Sequence, residues 1–159
     1  MTRGALPPAR SAAFAAAYVV LTLVGRATAI EGQVVSLVWP GSGVAFLWLL
    51  AESPRHVLRV LVPLMALHFG VVVATGVSPL LGLFGAASVT LQTAVAVLLL
   101  RRWCPTMLGA GGTRSIRSPR ALAVMAGSAA IGCALGAAVG TLGLRLDDVP
   151  ATALTPVAW

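Results

Sequence analysis

Five apolar runs divide this chain: residues 11–30, 34–51, 60–77, 79–100 and 121–144. Each is at least 18 residues long, about what a helix needs to cross ~30 Å of hydrocarbon. None alternates polar and apolar positions in the short blocks of a barrel strand. In lipid the backbone has no water to bond, so a run of this kind satisfies its own amides as a helix. Composition agrees. Of 159 residues, 58% are hydrophobic and 9% charged, against about 25% charged in a soluble domain. A chain this short cannot hide so much apolar surface from water. The expected fold class is therefore all-α: a polytopic membrane helix bundle with five transmembrane helices, its first run an uncleaved span rather than a signal peptide because four more follow it.

The eleven basic residues are all arginine, and their placement sets an orientation. Arg3 and Arg10 precede the first run. Arg55 and Arg59 lie between the second and third, while Arg101, Arg102, Arg114, Arg117 and Arg120 lie between the fourth and fifth. Those nine fall on one side; Arg26 and Arg145 fall on the other, with Glu31, Asp147 and Asp148. The positive-inside rule puts the N-terminus inside and the C-terminus outside. The charge thus reads as topology, with the lipid bilayer as partner and no nucleic acid. The expected divisions are a cytoplasmic segment 1–10, a transmembrane helix bundle 11–144 containing a basic cytoplasmic connector 101–120, and an extracytoplasmic tail 145–159. Pro150 and Pro156 argue against a sixth span in that tail. A small complete protein and a truncated larger one would both end so.

The second run contains Trp39-Pro40-Gly41-Ser42-Gly43. Proline removes a helical donor and glycine leaves backbone unshielded. The stretch is either a packing kink near the outer end of the span or a break that contacts a ligand, with Trp39 as an aromatic wall; it is expected to pack on spans three and four and line a polar cavity. His68 lies midway along the third run. It is either hydrogen-bonded between helices or functional. Span four carries a polar belt of Ser88, Thr90, Gln92 and Thr93, in which Ser88 and Gln92 share a face. These groups tie helices together or meet a polar ligand. The candidate sensing residues are Trp39, Pro40, Gly43, His68, Ser88 and Gln92. In span five, Gly132, Gly136 and Gly140 recur every four residues, a small-residue face for close helix packing. The neighbour is either a span of the same chain or a second copy, which would make an oligomer.

Catalytic signatures are missing from the sequence. There is no HExxH, Walker loop or GxSxG pattern, and the four carboxylates lie outside the cores of the runs. Cys104 and Cys133 suggest neither a disulfide framework nor a thiolate metal site. The sequence reads as non-enzymatic, with no cofactor and no metal.

The order of features resembles the integral membrane sensor domain found at the N-terminus of many bacterial diguanylate cyclases, phosphodiesterases and sensor histidine kinases. Trp39, Pro40 and Gly43 match that family's Trp-Pro-Pro-x-Gly-like stretch, with Gly41 in place of the second proline. Pro63 matches a proline usual after the next loop. Thr90 and Leu91, followed by Arg101 and Arg102, match a polar stretch that leads into paired arginines; Val89 and Gln92 stand where the family has Asn and Glu. The glycine-rich fifth run resembles the family's next span. The likeness covers about residues 15–145, and the family domain has more spans than the five seen here.

The resemblance implies a membrane-embedded sensory or regulatory module of the cell inner (cytoplasmic) membrane. It would act through a signalling partner: a cyclase, phosphodiesterase or histidine kinase. A substrate-binding component of a small-solute transporter would show a similar broken helix. A non-catalytic structural membrane protein or a gene fragment would also fit the composition. Orientation is tested by cysteine labelling on a background lacking Cys104 and Cys133. A probe at Ser115 should resist an impermeant thiol reagent in intact cells and one at Thr152 should react; the reverse pattern would invert the topology.

Overall fold

The computed structural model describes residues 5–28, 39–105 and 119–147. The parts of the second run before Trp39, most of the basic connector and the tail from Asp148 onward lie outside the described residues. Five α-helices follow in order: α1 Pro8–Ala27, α2 Gly41–Ala51, α3 Leu58–Ala74, α4 Pro79–Trp103 and α5 Pro119–Leu146, with a single 3-10 turn at Pro54–His56 before α3. No strand occurs among the described residues. The all-helical fold is as expected.

Prolines start two of these helices. Pro8 and Pro79 occupy the first helical position, where a missing N–H costs nothing. Ser78 caps α4, its hydroxyl accepting from the Leu81 amide at 3.2 Å. α3 ends in a Schellman turn: Val77 N–H donates to Val72 O and Gly76 N–H to Val73 O. The turn requires the positive φ of 91° at Gly76, where glycine has no Cβ to clash.

Helix lengths differ from the expectation of five full spans. α1, α4 and α5, with 20, 25 and 28 residues, are long and apolar enough to cross a membrane. α3 has 17 residues and α2 only 11. The reason for the short α2 is local. Pro40 is its N-cap rather than an interior residue, so the described helix begins after the proline instead of bending at it. Arg101 and Arg102 lie in the last turn of α4, and Arg145 lies in the last turn of α5.

Packing radiates from α4, which contacts α2, α3 and α5; α1 closes the bundle against α2 and α3. One core cluster joins Trp48, Leu49 and Leu50 of α2 to Val60 of α3 and Val97 and Leu100 of α4. Trp48 stacks on Phe14 at 6.4 Å between ring centroids and donates to Ser11 Oγ at 3.1 Å. At the same end Arg101 Nη2 donates to Leu49 O and Glu52 O at 2.8 and 2.7 Å, supplying donors that the C-terminus of α2 lacks. Glu52, 4% exposed, accepts from the Leu6 and Ser53 amides. The N-terminus of α1 and the C-termini of α2 and α4 thus meet at one end. At the other, Arg26 donates to Thr75 Oγ1 and Ser78 Oγ to Asp147 Oδ2.

The α4–α5 seam is antiparallel and built on small residues. A Cβ added at Gly132 would lie 2.6 Å from Gln92 O, and one at Gly136 would lie 3.0 Å from Gln92 Cβ and 3.2 Å from Ser88 O. At Gly140 it would be 3.7 Å from Ser88 Oγ, and at Gly143 it would collide with Phe84. Ser88 Oγ donates across the seam to Gly136 O at 2.7 Å. The outer faces are apolar: Val20, Leu47, Val62, Leu98, Ile131 and Leu142 are all exposed, an arrangement solvated by lipid and costly in water. The seam predicts opposite signs for two alanine substitutions. Gly132→Ala should destabilise by roughly 1–3 kcal/mol through overpacking. Gly127→Ala, where a Cβ meets nothing within 4 Å, should be neutral or stabilising by up to about 1 kcal/mol, because alanine is the better helix former. Melting of the two variants in detergent checks this; equal melting points would remove the seam's special status.

Candidate functional site

A cavity of about 360 Å³ opens between the helices at the end where α1 and α3 finish and α2 begins. That volume lies toward the lower end of the range for small-ligand sites. Its walls come from all five helices. Arg26 comes from α1 and Ser42 from α2, Trp39 precedes α2, and His68 and Val72 come from α3. Ser88, Val89 and Gln92 come from α4, and Gly140 and Leu144 from α5. Most of the lining is apolar, and no Asp or Glu is part of it among the described residues.

His68 anchors one wall. It is 3% exposed, and its Nδ1 lies 2.7 Å from Tyr18 OH. The pair satisfies two groups that lipid could not. Tyr18 is fully buried in α1, against Ala45 and Leu64. A hydrogen bond at Nδ1 leaves Nε2 as the other polar edge of the ring, and Gly85, whose added Cβ would sit 3.4 Å from Nε2, leaves room there. The Trp39 ring lies 5.5 Å from the imidazole and tilted 45° to it. Its indole N–H is buried and has no hydrogen-bond partner among the described residues.

Opposite, Ser88 and Gln92 project from consecutive turns of α4, as their spacing of four dictates. The Ser88 hydroxyl is engaged with Gly136 O. Gln92 leans across Gly136: its Oε1 would be 3.1 Å from a Cβ at that glycine. The glycine's bare Cα is what lets the amide lie there.

Of the six candidate sensing residues, Trp39, His68, Ser88 and Gln92 line this cavity; Pro40 and Gly43 do not. Pro40 caps α2. Gly43 is exposed, with nothing within 4 Å of an added Cβ. The residue of that stretch that packs tightly is Gly41, whose added Cβ would lie 2.7 Å from Thr22 Oγ1 and 3.4 Å from Tyr18. Gly132, Gly136 and Gly140 face α4 of the same chain. Sequence reasoning missed Tyr18 as the partner of His68. It is the chain's one tyrosine and sits among aliphatic residues, where a phenol must find a bond; that was the available signal. Arg26 and Ser42 gave none, since their place beside the cavity depends on how three helix ends meet.

A helical bundle with an apolar exterior and buried polar pairs is the architecture of an integral membrane protein. A family profile matches residues 10–158, nearly the whole chain. The chain belongs to the MASE1 family, a membrane-associated sensor domain found in diguanylate cyclases, phosphodiesterases and histidine kinases. No curated protein and no solved structure matches the chain. The membership makes it a membrane sensory module of signalling, and the domain itself is sensory rather than catalytic.

The Tyr18–His68 pair predicts non-additive substitutions. Tyr18→Phe strands a buried ring nitrogen and should cost about 1–3 kcal/mol. In a His68→Leu background the same change should cost much less, with a coupling of roughly 0.5–3 kcal/mol in the double-mutant cycle. Additive unfolding free energies in detergent would mean that the two groups do not depend on each other.

Proposed function

We propose that this chain is the sensory part of a multi-pass signalling assembly in the bacterial inner membrane, and that the cavity bounded by Trp39, His68, Ser88 and Gln92 is where its signal molecule binds. The arginine-rich end faces the cytoplasm and the cavity end faces outward. The output is a diguanylate cyclase, phosphodiesterase or histidine kinase, on the same polypeptide or a separate one. The observation that carries this reading is the convergence of intramembrane polar side chains on one space in a MASE1 domain. Polar groups at that depth are costly and mark functional sites.

A physical route to the output runs along α4. Gln92 lines the cavity. Nine residues further, about 13 Å at 1.5 Å per residue, Arg101 holds the last carbonyls of α2. A ligand that shifts α4 relative to α2 would therefore disturb these bonds at the arginine-rich end. The test is made in the native host, with the output read as the cyclic di-GMP pool or as kinase phosphorylation. Gln92→Leu and Trp39→Ala should each change that output several-fold while membrane levels of the protein stay constant. Unchanged output in both, or capture of the protein with a transport ATPase and no signalling enzyme, would overturn the proposal.

A further inference from the structure

The cavity's polar groups point to a class of ligand, an inference that rests on the cavity being the sensing site. Gln92 lies within a membrane-spanning helix and lines the cavity, yet its amide forms no hydrogen bond among the described residues. Trp39 Nε1 is buried and equally without a partner. His68 has one ring nitrogen engaged by Tyr18, and its Nε2 edge lies beside Gly85 in the same wall. The indole N–H left unmet at this depth carries a desolvation cost, and the Gln92 amide and the imidazole edge border the same space. An occupant that both donates and accepts would remove that cost.

Charge narrows the class. Among the described residues the lining contains no carboxylate, so these walls offer a cation no counter-charge. The charged side chain among the described lining residues is Arg26, whose Nε already donates to Thr75 Oγ1 at the helix ends. Deeper in, the walls between Trp39 and Gln92 are uncharged, so an anion seated there would be desolvated without compensation. Shape narrows it further: the Trp39 and His68 rings, 5.5 Å apart and tilted 45°, both line the cavity, and Val72, Leu81 and Val89 supply apolar surface.

We infer that the cavity binds a small, neutral, planar molecule with a carboxamide or cyclic-imide edge. The edge pairs with the Gln92 amide, which offers both a donor and an acceptor, and the flat body lies against Trp39. The closing experiment uses four probes of one shape: benzamide, benzoate, benzylammonium and toluene. Each is titrated against the purified chain in lipid nanodiscs, with ligand-observed NMR as the readout. Benzamide should bind at least about tenfold tighter than benzoate or benzylammonium. Gln92→Leu should weaken benzamide about tenfold, the scale of one hydrogen bond, and leave toluene unchanged. The ranking of probes on the unaltered protein stands even if that variant folds poorly. Benzoate or benzylammonium binding as well as benzamide would overturn the neutral-ligand inference while leaving the cavity as a ligand site. So would benzamide binding that Gln92→Leu does not affect. Failure of all four probes, toluene included, would show a water-filled space and overturn the sensing-site reading as well.

Discussion

A polar side chain inside hydrocarbon has no solvent to turn to, so each must find its partner within the protein. The bundle is organised around that requirement. Tyr18 meets His68, Ser88 reaches the Gly136 carbonyl, Ser128 bonds back to Val124 O and Trp48 finds Ser11. Three of these bonds tie separate helices together, so satisfying the polar groups also fixes the order of the bundle. The Trp39 indole, Thr22 Oγ1 and Thr90 Oγ1 stand outside this pattern among the described residues, and of these the Trp39 indole lines the cavity, as does Gln92. The space is thus bordered by polar as well as apolar groups, unlike a purely apolar void.

Close helix approach is the second element. The glycines of α5 bring its backbone onto α4, and the carbonyl of Gln92 lies where a Cβ at Gly132 would have to go. The same absence of side chains allows the Gln92 amide to cross over Gly136 toward the cavity. Packing and site chemistry therefore share residues. A substitution on α5 that touches no ligand would still move the amide, and sensing in a MASE1 domain need not be confined to the residues of the binding wall.

The legible part of this fold was its periodicity and its solvent. Long apolar runs announced helices in lipid, and the four-residue spacing of Gly132, Gly136 and Gly140 announced a close seam. His68, Ser88 and Gln92 stood out because polar residues are expensive where they occur. What the sequence could not supply were relations between distant segments. Nothing in the order of residues says that Tyr18 lies beside His68, fifty positions away, or that Arg101 caps α2 rather than only anchoring the connector. The Trp-Pro-Gly-Ser-Gly stretch shows the same limit within a few residues. Its composition marked a disruption, but whether the proline kinks a helix or begins one depends on where the helix starts. Pro40 begins α2, and so Trp39 and Ser42 reach the cavity while Gly43 turns away.

The unequal helices have a consequence for the bilayer. At 1.5 Å per residue, α5 is about 42 Å long and α4 about 38 Å, whereas α3 is about 25 Å and α2 about 16 Å. Such a bundle has no single hydrophobic thickness. Around the long pair the membrane is matched by tilting, and around the short pair it must thin or let headgroups and water approach. Headgroups and water drawn in beside α2 and α3 shorten the path from the aqueous phase to the Trp39 and His68 wall. Lipid chain length thus becomes a variable that acts on the same helices that line the cavity.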